Sequence, residues 1–478
     1  MPEVSTEIIA KKTGISKCLT GIQGLDEITY GGLPHGRPTL ICGNAGCGKT
    51  LFSMEFIVNG ATLYNEPGLY VSFEEKSDEL ITNFNSLGFD LKKLESAKKI
   101  ALEFIYIERS EIEETGEYDL DGLFILIGNA IDSIGAKRVV LDTLEALFSG
   151  FSNEAILRAE LRRLFRFLKD KGVTAIITGE RGEKNMTKYG LEEYVADCVI
   201  MLDHRVTDQV ATRRLKIIKY RGSKHGTNEY PFLIDEKGIS VLPVTSIGLD
   251  YHVSSKRLSS GIPGFDMMLD GKGYYVSSSI LVSGSAGTGK TSIACHFVDS
   301  SCSKGLKCLY FAFEESQHQI MRNLKNINID LQKWIDKGLL KFSANRPTHT
   351  GIEMTLLNMQ KLITEFQPDV VIVDCVTNLI NTGFILDVKA MMIRLLDYMK
   401  MKQITSLMTD LSVSPTINDT EIGISSMTDT WIRLINVEKN NKLIRTVNII
   451  KSRGMKHSNS ITEFVITDNG IKLLDTTI

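Results

Sequence analysis

Two stretches of the chain place spaced glycines directly before a lysine and a hydroxyl. They are Gly43-Asn44-Ala45-Gly46-Cys47-Gly48-Lys49-Thr50 and Gly284-Ser285-Ala286-Gly287-Thr288-Gly289-Lys290-Thr291. Both fit the phosphate-loop pattern G-x-x-x-x-G-K-[ST]. The glycines let the backbone curl so that its N–H groups converge on phosphate oxygens. Lys49 and Lys290 would reach the outer phosphates, and Thr50 and Thr291 would place an oxygen on Mg2+. With 39 glycines in 478 residues, a chance match arises in about one or two chains per hundred of this length. Two matches in one context set chance aside. The expected ligand is a Mg2+-bound nucleoside triphosphate, ATP, at Gly43, Gly46, Gly48, Lys49 and Thr50, and again at Gly284, Gly287, Gly289, Lys290 and Thr291.

Acidic residues recur around each loop. Asp142 and Asp374 close apolar runs, Val139–Leu141 and Val371–Val373. A carboxylate at the end of such a strand can hold the metal or its water. Glu74-Glu75 and Glu314-Glu315 end another pair of runs. Paired carboxylates beside a triphosphate repel it, so they make sense if one orients or deprotonates a nucleophile and the other tunes it. Further on come Lys219 and Arg221, then Lys451 and Arg453, each in K-x-R-G. They lie far in sequence from their own loops. A rim position would point them at a neighbouring subunit, where a cation supplied in trans steadies a γ-phosphate.

The elements that position these residues are written twice. Gly21-Ile22-Gln23-Gly24-Leu25-Asp26 returns as Gly261-Ile262-Pro263-Gly264-Phe265-Asp266, and Phe73-Glu74-Glu75 returns as Phe313-Glu314-Glu315. With the glycine loops, the aspartates and K-x-R-G, five landmarks repeat in order at offsets of 232 to 241 residues. That period is far too long for a solenoid. It predicts a duplicated domain, 1–245 and 258–478, joined by a linker over 246–257. Apolar runs at Pro38–Cys42, Gly68–Phe73, Arg138–Leu141 and Gly172–Thr178 read as strands, as do Ser279–Ser283, Lys307–Phe313, Val370–Val373 and Gln403–Thr409. Helical patterns follow the glycine loops at Leu51–Asn59 and Ser292–Asp299. Strands alternating with helices predict an α/β fold, each domain a mainly parallel sheet covered by helices on both faces.

Composition sets outer bounds. The chain is 43% apolar and 24% charged, which is globular rather than disordered or collagenous. A formal net charge of −3 does not recommend nucleic acid as the main partner. No run approaches the length of a transmembrane helix, and the first residues lack a signal-peptide core. Eight cysteines are scattered without a C-x-x-C pair, so reduced, buried thiols in a cytoplasmic protein are expected.

The order of these motifs resembles the KaiC family, tandem RecA-like clock ATPases and autokinases, from about Cys18 to Leu474. One more segment carries the likeness: Asp419-Thr420-Glu421-Ile422-Gly423-Ile424-Ser425-Ser426-Met427-Thr428-Asp429-Thr430 is similar to the family's phosphorylation loop. The resemblance puts Ser425 and Ser426 on the two phosphoacceptor positions, Thr420 on a nearby hydroxyl position and Asp429 beside the acceptors. It implies a homohexameric ring. The N-terminal domain would hydrolyse ATP with Glu74 assisting water. The C-terminal domain would pass the γ-phosphate to Ser425 or Ser426 of an adjacent subunit with Glu314 as base, and reverse the transfer onto ADP. Such a protein serves a clock-like or stress-related timing system.

The chain departs from the family pattern in places. Only Asp475 to Ile478 follow Leu474, so control by KaiA through an extended tail is not expected. Six acidic residues lie within 111–121, in the vicinity the family uses for docking KaiB; a KaiB-like partner is expected there. Asp374-Cys375-Val376-Thr377-Asn378 replaces a common Asp-Ser-aliphatic sequence, and Cys47 stands where Thr or Ser is usual. A thiol in the glycine loop could respond to oxidation, though a quiet small residue is the better reading. Two rivals share the core. A DNA recombinase or ring helicase needs basic channel loops, and 184–194 and 411–426 are not strongly basic. A non-catalytic nucleotide-sensing scaffold would not need intact lysines and glutamates in both copies.

Overall fold

The computed structural model describes residues 14–106, 120–148, 154–182, 195–207, 210–236, 238–243, 253–346, 351–382, 385–411, 423–439 and 441–477. The chain divides into two compact units, Met1–Thr245 and Ser246–Ile478.

Among the described residues, the first unit is built on a nine-stranded sheet. The loop-bearing strand Pro38–Gly43 lies between Thr174–Glu180 and Cys198–Thr207, parallel to both. Beyond Thr174–Glu180 the parallel order continues through Arg138–Asp142, Gly68–Ser72 and Ile100–Phe104. The parallel strands carry apolar side chains on both faces because helices cover both; Leu40, Ile41, Val139, Val140, Ile176 and Ile177 are fully buried.

On the other side the sheet turns antiparallel, through Val210–Tyr220, Glu229–Asp235 and Gly238–Val241. The second unit repeats this order strand for strand. Its loop strand Ser279–Gly284 sits between Thr405–Leu411 and Thr430–Lys439, with an antiparallel edge through Lys442–Ser452, Thr462–Thr467 and Gly470–Thr477. The sequence pattern showed the parallel half and left most of this antiparallel half unread. Its strands are partly exposed and alternate irregularly.

The loop helices extend further than the periodicity indicates, over Lys49–Leu63 and Lys290–Ser303. Each starts at the loop lysine because the glycine before it adopts the left-handed conformation, with φ 103° at Gly48 and 100° at Gly289, which a side chain would strain. The repeated Gly-Ile-x-Gly motif is structural. Asp26 accepts the Thr20 N–H at 2.9 Å and the Thr20 hydroxyl at 2.8 Å. Asp266 accepts the Ser260 N–H at 2.8 Å and the Ser259 hydroxyl at 2.5 Å. Among the described residues no helix is long and apolar enough to cross a membrane. All eight cysteines are buried and unbridged.

Candidate functional site

In open parallel sheets ligands gather at the carboxyl ends of the strands, where the order switches direction. Both loops lie there, each starting from a central strand. Lys49 Nζ donates to the carbonyls of Gly43 at 2.8 Å and Asn44 at 3.2 Å. Lys290 makes the same pair of bonds, to Gly284 at 2.8 Å and Ser285 at 2.9 Å. Both ammonium groups are thus held over a formed loop. Burial pushes the Lys290 pKa down, opposed by the charges of Cys375, Asp374, Glu314 and Asp410.

A cavity of about 320 Å3 opens in front of the second loop. Its lining includes Lys290, Thr291, Glu314, Glu315, Asp374 and Cys375. The two predicted metal-side aspartates are fixed identically. Tyr70 donates to Asp142 Oδ2 at 2.6 Å, and Thr178 donates to Oδ1. Tyr310 donates to Asp374 Oδ2 at 2.6 Å, and Thr409 donates to Oδ1. Thr291 adds a bond to Asp374 Oδ2 at 2.9 Å, joining the two predicted oxygen ligands. These tyrosine and threonine partners escaped the motif reading. The signal was present: Tyr70 and Tyr310, like Thr178 and Thr409, hold equivalent positions in the two copies.

The glutamate pairs divide the units. In the first, the Thr143 hydroxyl donates to Glu74 Oε1 at 3.2 Å. In the second, Cys375 takes the threonine's place and donates instead to Thr377 Oγ1 at 3.3 Å. Among the described residues no hydrogen bond reaches the Glu314 carboxylate. The second glutamates behave alike. Burial, then the neighbouring aspartate, pushes the Glu75 and Glu315 pKa values up. Asn323 Nδ2 donates to Glu315 Oε2 at 3.3 Å, and Asn83 bonds Glu75 from the equivalent place.

Lys219 and Lys451 lie near the ends of antiparallel strands, and Arg221 and Arg453 in the turns that follow, beside a register shift between Val199 and Ile200 in one unit and Trp431 and Ile432 in the other. Such shifts re-aim side chains. Arg221 approaches Asp197 at 3.6 Å; Lys219 pairs in register with Val199. In the second unit Lys451 Nζ donates to the Ser425 carbonyl at 2.6 Å and Arg453 Nη2 to the Ser426 carbonyl at 2.7 Å. The structure therefore brings these cations to the predicted acceptor turn of their own chain, a contact that sequence spacing did not reveal. Ser425 is buried and Ser426 exposed. Thr420 and the acidic residues 111, 113, 114, 117 and 119 lie outside the described residues.

Cys47 is buried, and burial pushes its pKa up. That is the setting of a quiet packing residue rather than a reactive thiolate. Its counterpart Thr288 caps the loop by donating to Ser285 O at 2.8 Å.

Known proteins carry the same duplication. The family model described as ATPase: KaiC matches residues 18–246 and again 258–478. "Circadian clock protein KaiC2" of Synechocystis sp. is 54% identical over 469 residues, which span 98% of this chain and 83% of that relative. "Circadian clock protein KaiC3" of the same source is 37% identical over 96% of this chain and 92% of its own length. "Circadian clock oscillator protein KaiC" of Synechococcus elongatus is 36% identical over 96% of this chain and 89% of its own. With two lysine-tipped phosphate loops, two fixed strand-end aspartates and a family match to both halves, the chain belongs to the KaiC ATPase family, whose members bind and hydrolyse ATP.

Proposed function

We propose that the first domain hydrolyses ATP and the second is an autokinase and autophosphatase acting on Ser425 and Ser426, within a timing or signalling system like those its relatives are named for. The observation that carries the reading is the pairing, in one domain, of a complete phosphate-loop site with a serine turn gripped by Lys451 and Arg453. The first domain's equivalent turn sequence has no serine pair.

In each domain the loop N–H groups and Lys49 or Lys290 bind and orient the triphosphate. Thr50 with Asp142, and Thr291 with Asp374, offer the hard oxygens that suit Mg2+. Bound there, Mg2+ would neutralise charge on the phosphate oxygens. Glu74, fixed by Thr143, orients and deprotonates the attacking water. Glu314 takes the proton of a serine hydroxyl, and Glu75 and Glu315 set the local charge around these bases. Transfer breaks the bond between the γ-phosphorus and its bridging oxygen and forms one to the serine oxygen, leaving ADP. Lys219 and Arg221, and Lys451 and Arg453, face the γ-phosphate of an adjacent subunit in a homohexameric ring. A KaiB-like protein docks on the acidic stretch 111–121.

Intact mass spectrometry after incubation with Mg·ATP, with site mapping, tests this. One or two added phosphoryl groups on Ser425 and Ser426 are expected. ATP hydrolysis without added phosphate would leave an ATPase and end the kinase reading.

A further inference from the structure

Three cations surround the acceptor turn from one side. Lys451 and Arg453 hold its two serine carbonyls, and Lys400 sits next to them on the helix Ile385–Met401. The Asp429 carboxylate shares the cluster. Asp429 meets Lys400 at 3.0 Å and accepts the Ser279 N–H at 2.9 Å and hydroxyl at 2.8 Å. Asp397, on the same helix as Lys400, also faces its ammonium, so Lys451 and Arg453 are the cations that the turn itself meets. Burial acts against the Asp429 charge, but the Ser279 N–H and Lys400 still hold its pKa below the ordinary range. Burial and the charges of Arg453 and Lys400 push the Lys451 pKa down, as expected where cations crowd.

A cavity of about 470 Å3 adjoins, lined by Lys400, Asp429, Arg453, Tyr275, Ser277 and Ser278. Arg453 therefore borders both the cavity and the exposed Ser426. A serine Oγ lies about 3 Å from its own carbonyl oxygen by standard bond lengths. A phosphate on Ser426 would then fall within reach of the guanidinium that already holds that carbonyl. Arginine's planar fork suits a phosphate dianion.

The first domain supplies a comparison. Its cations gather in the same way, Lys169 at 2.5 Å and Arg221 at 3.6 Å from Asp197. In sequence, Glu193 stands four residues before Asp197, where Ser425 stands four before Asp429. The first copy has a permanent anion in its sequence at the register where the second has a serine able to acquire one.

We infer that Lys400, Lys451 and Arg453 form a cradle that binds, in cis, the phosphate monoester carried by the Ser425–Ser426 turn. The inference rests on the proposed phosphorylation of this turn and adds what holds the product. Once the phosphate is bound, Lys451 and Arg453 are drawn from the neighbouring γ-phosphate, so each transfer restrains the next and keeps the group in place for return to ADP.

Two arms on the full chain test it. The first needs no kinase activity. Ser426→Glu should melt about 2–4 °C above Ser426→Gln at low salt, the size expected for one charge pair in a domain this large. The gap should close in an Arg453→Ala background and at 0.5 M salt. Equal melting of the two variants, or a gap that survives Arg453→Ala, overturns the cradle. If inorganic phosphate raises the melting of Ser425→Ala/Ser426→Ala by a similar amount, the cluster is a free-anion site and the assignment to the turn fails.

The second arm follows phosphoserine by 31P NMR against pH. Its second pKa, about 6 when free, should fall by roughly one unit in the wild-type chain and return towards the free value at 0.5 M salt. A normal value in the phosphorylated wild type overturns the cradle while leaving the kinase reading intact. A chain that never gains phosphate ends the kinase reading, and the first arm still decides the cradle.

Discussion

The two domains share a sheet order, a phosphate loop and a strand-end aspartate with the same tyrosine and threonine partners. They differ at the residue after that aspartate. Thr143 restrains Glu74 in the first domain; Cys375 leaves the Glu314 carboxylate without such a bond. A restrained carboxylate suits a fixed task, the orientation of water. An unrestrained one can follow a serine hydroxyl that arrives from outside the pocket and later leaves. Duplication preserved the partners of the strand-end aspartate and changed those of the first glutamate.

The largest expected effect tests this division directly. Glu74→Gln should cut phosphate release by about 100-fold or more, the usual worth of a positioned base, and spare serine phosphorylation. Glu314→Gln should do the reverse. Measured release and phosphosite occupancy that respond alike to both variants would break the comparison.

A second asymmetry concerns stability. Arg138 is fully buried in the first domain, donating to Glu66 at 2.7 Å, Leu19 O at 2.8 Å and Phe56 O at 2.9 Å. The equivalent strand position in the second domain is Val370. Arg138→Met orphans those acceptors and should cost about 3 kcal/mol, seen in denaturant unfolding as loss of the first domain ahead of the second. Simultaneous loss would show that the domains unfold as one.

Thr143→Cys gives the first domain the second's residue. Phosphate release should fall about tenfold, roughly the worth of one positioning hydrogen bond to a charged group, and Thr143→Ser should restore it. Cys375→Thr should slow phosphorylation by restraining Glu314. An unchanged rate in both would remove the threonine from the argument.

The smallest effect depends on pH. Glu55, buried in the first loop helix, accepts the Ile239 N–H at 2.7 Å; in the second, His296 accepts the Ile471 N–H at 3.3 Å. Burial raises the Glu55 pKa to about 7 and lowers that of His296. The raised carboxyl contributes stability fully below its unfolded value, about 4.5, and loses it as pH rises through about 7. The lowered imidazole contributes fully above its unfolded value and loses it as pH falls through the folded one. Acidification from about pH 8 to 6 should therefore raise the melting of the first domain by a few degrees and lower that of the second. Glu55→Gln should flatten the first response in calorimetry and His296→Gln the second.

Much of this was legible in the sequence because both loops, both aspartates and both glutamate pairs are local strings placed by strand and helix patterns. Arg138 and Glu55 were not. Arg138 reads as a strand-edge charge, and its partners Leu19, Phe56 and Glu66 come from elsewhere in the chain. Glu55 meets Ile239 across 184 residues, a pairing no local period reveals. Lys451 and Arg453 were recognised as cations with a purpose, but their hold on Ser425 and Ser426 depends on how two strands register. The antiparallel edges, with their mixed exposure, gave no clean alternation to read.

The burial of all eight cysteines has a practical corollary. The folded chain offers no native attachment point to a thiol-seeking dye, so a single cysteine introduced at an exposed place on either domain becomes a unique address. One such cysteine on each domain, the pair carrying donor and acceptor, would report their separation in real time during turnover, with no native cysteine first removed.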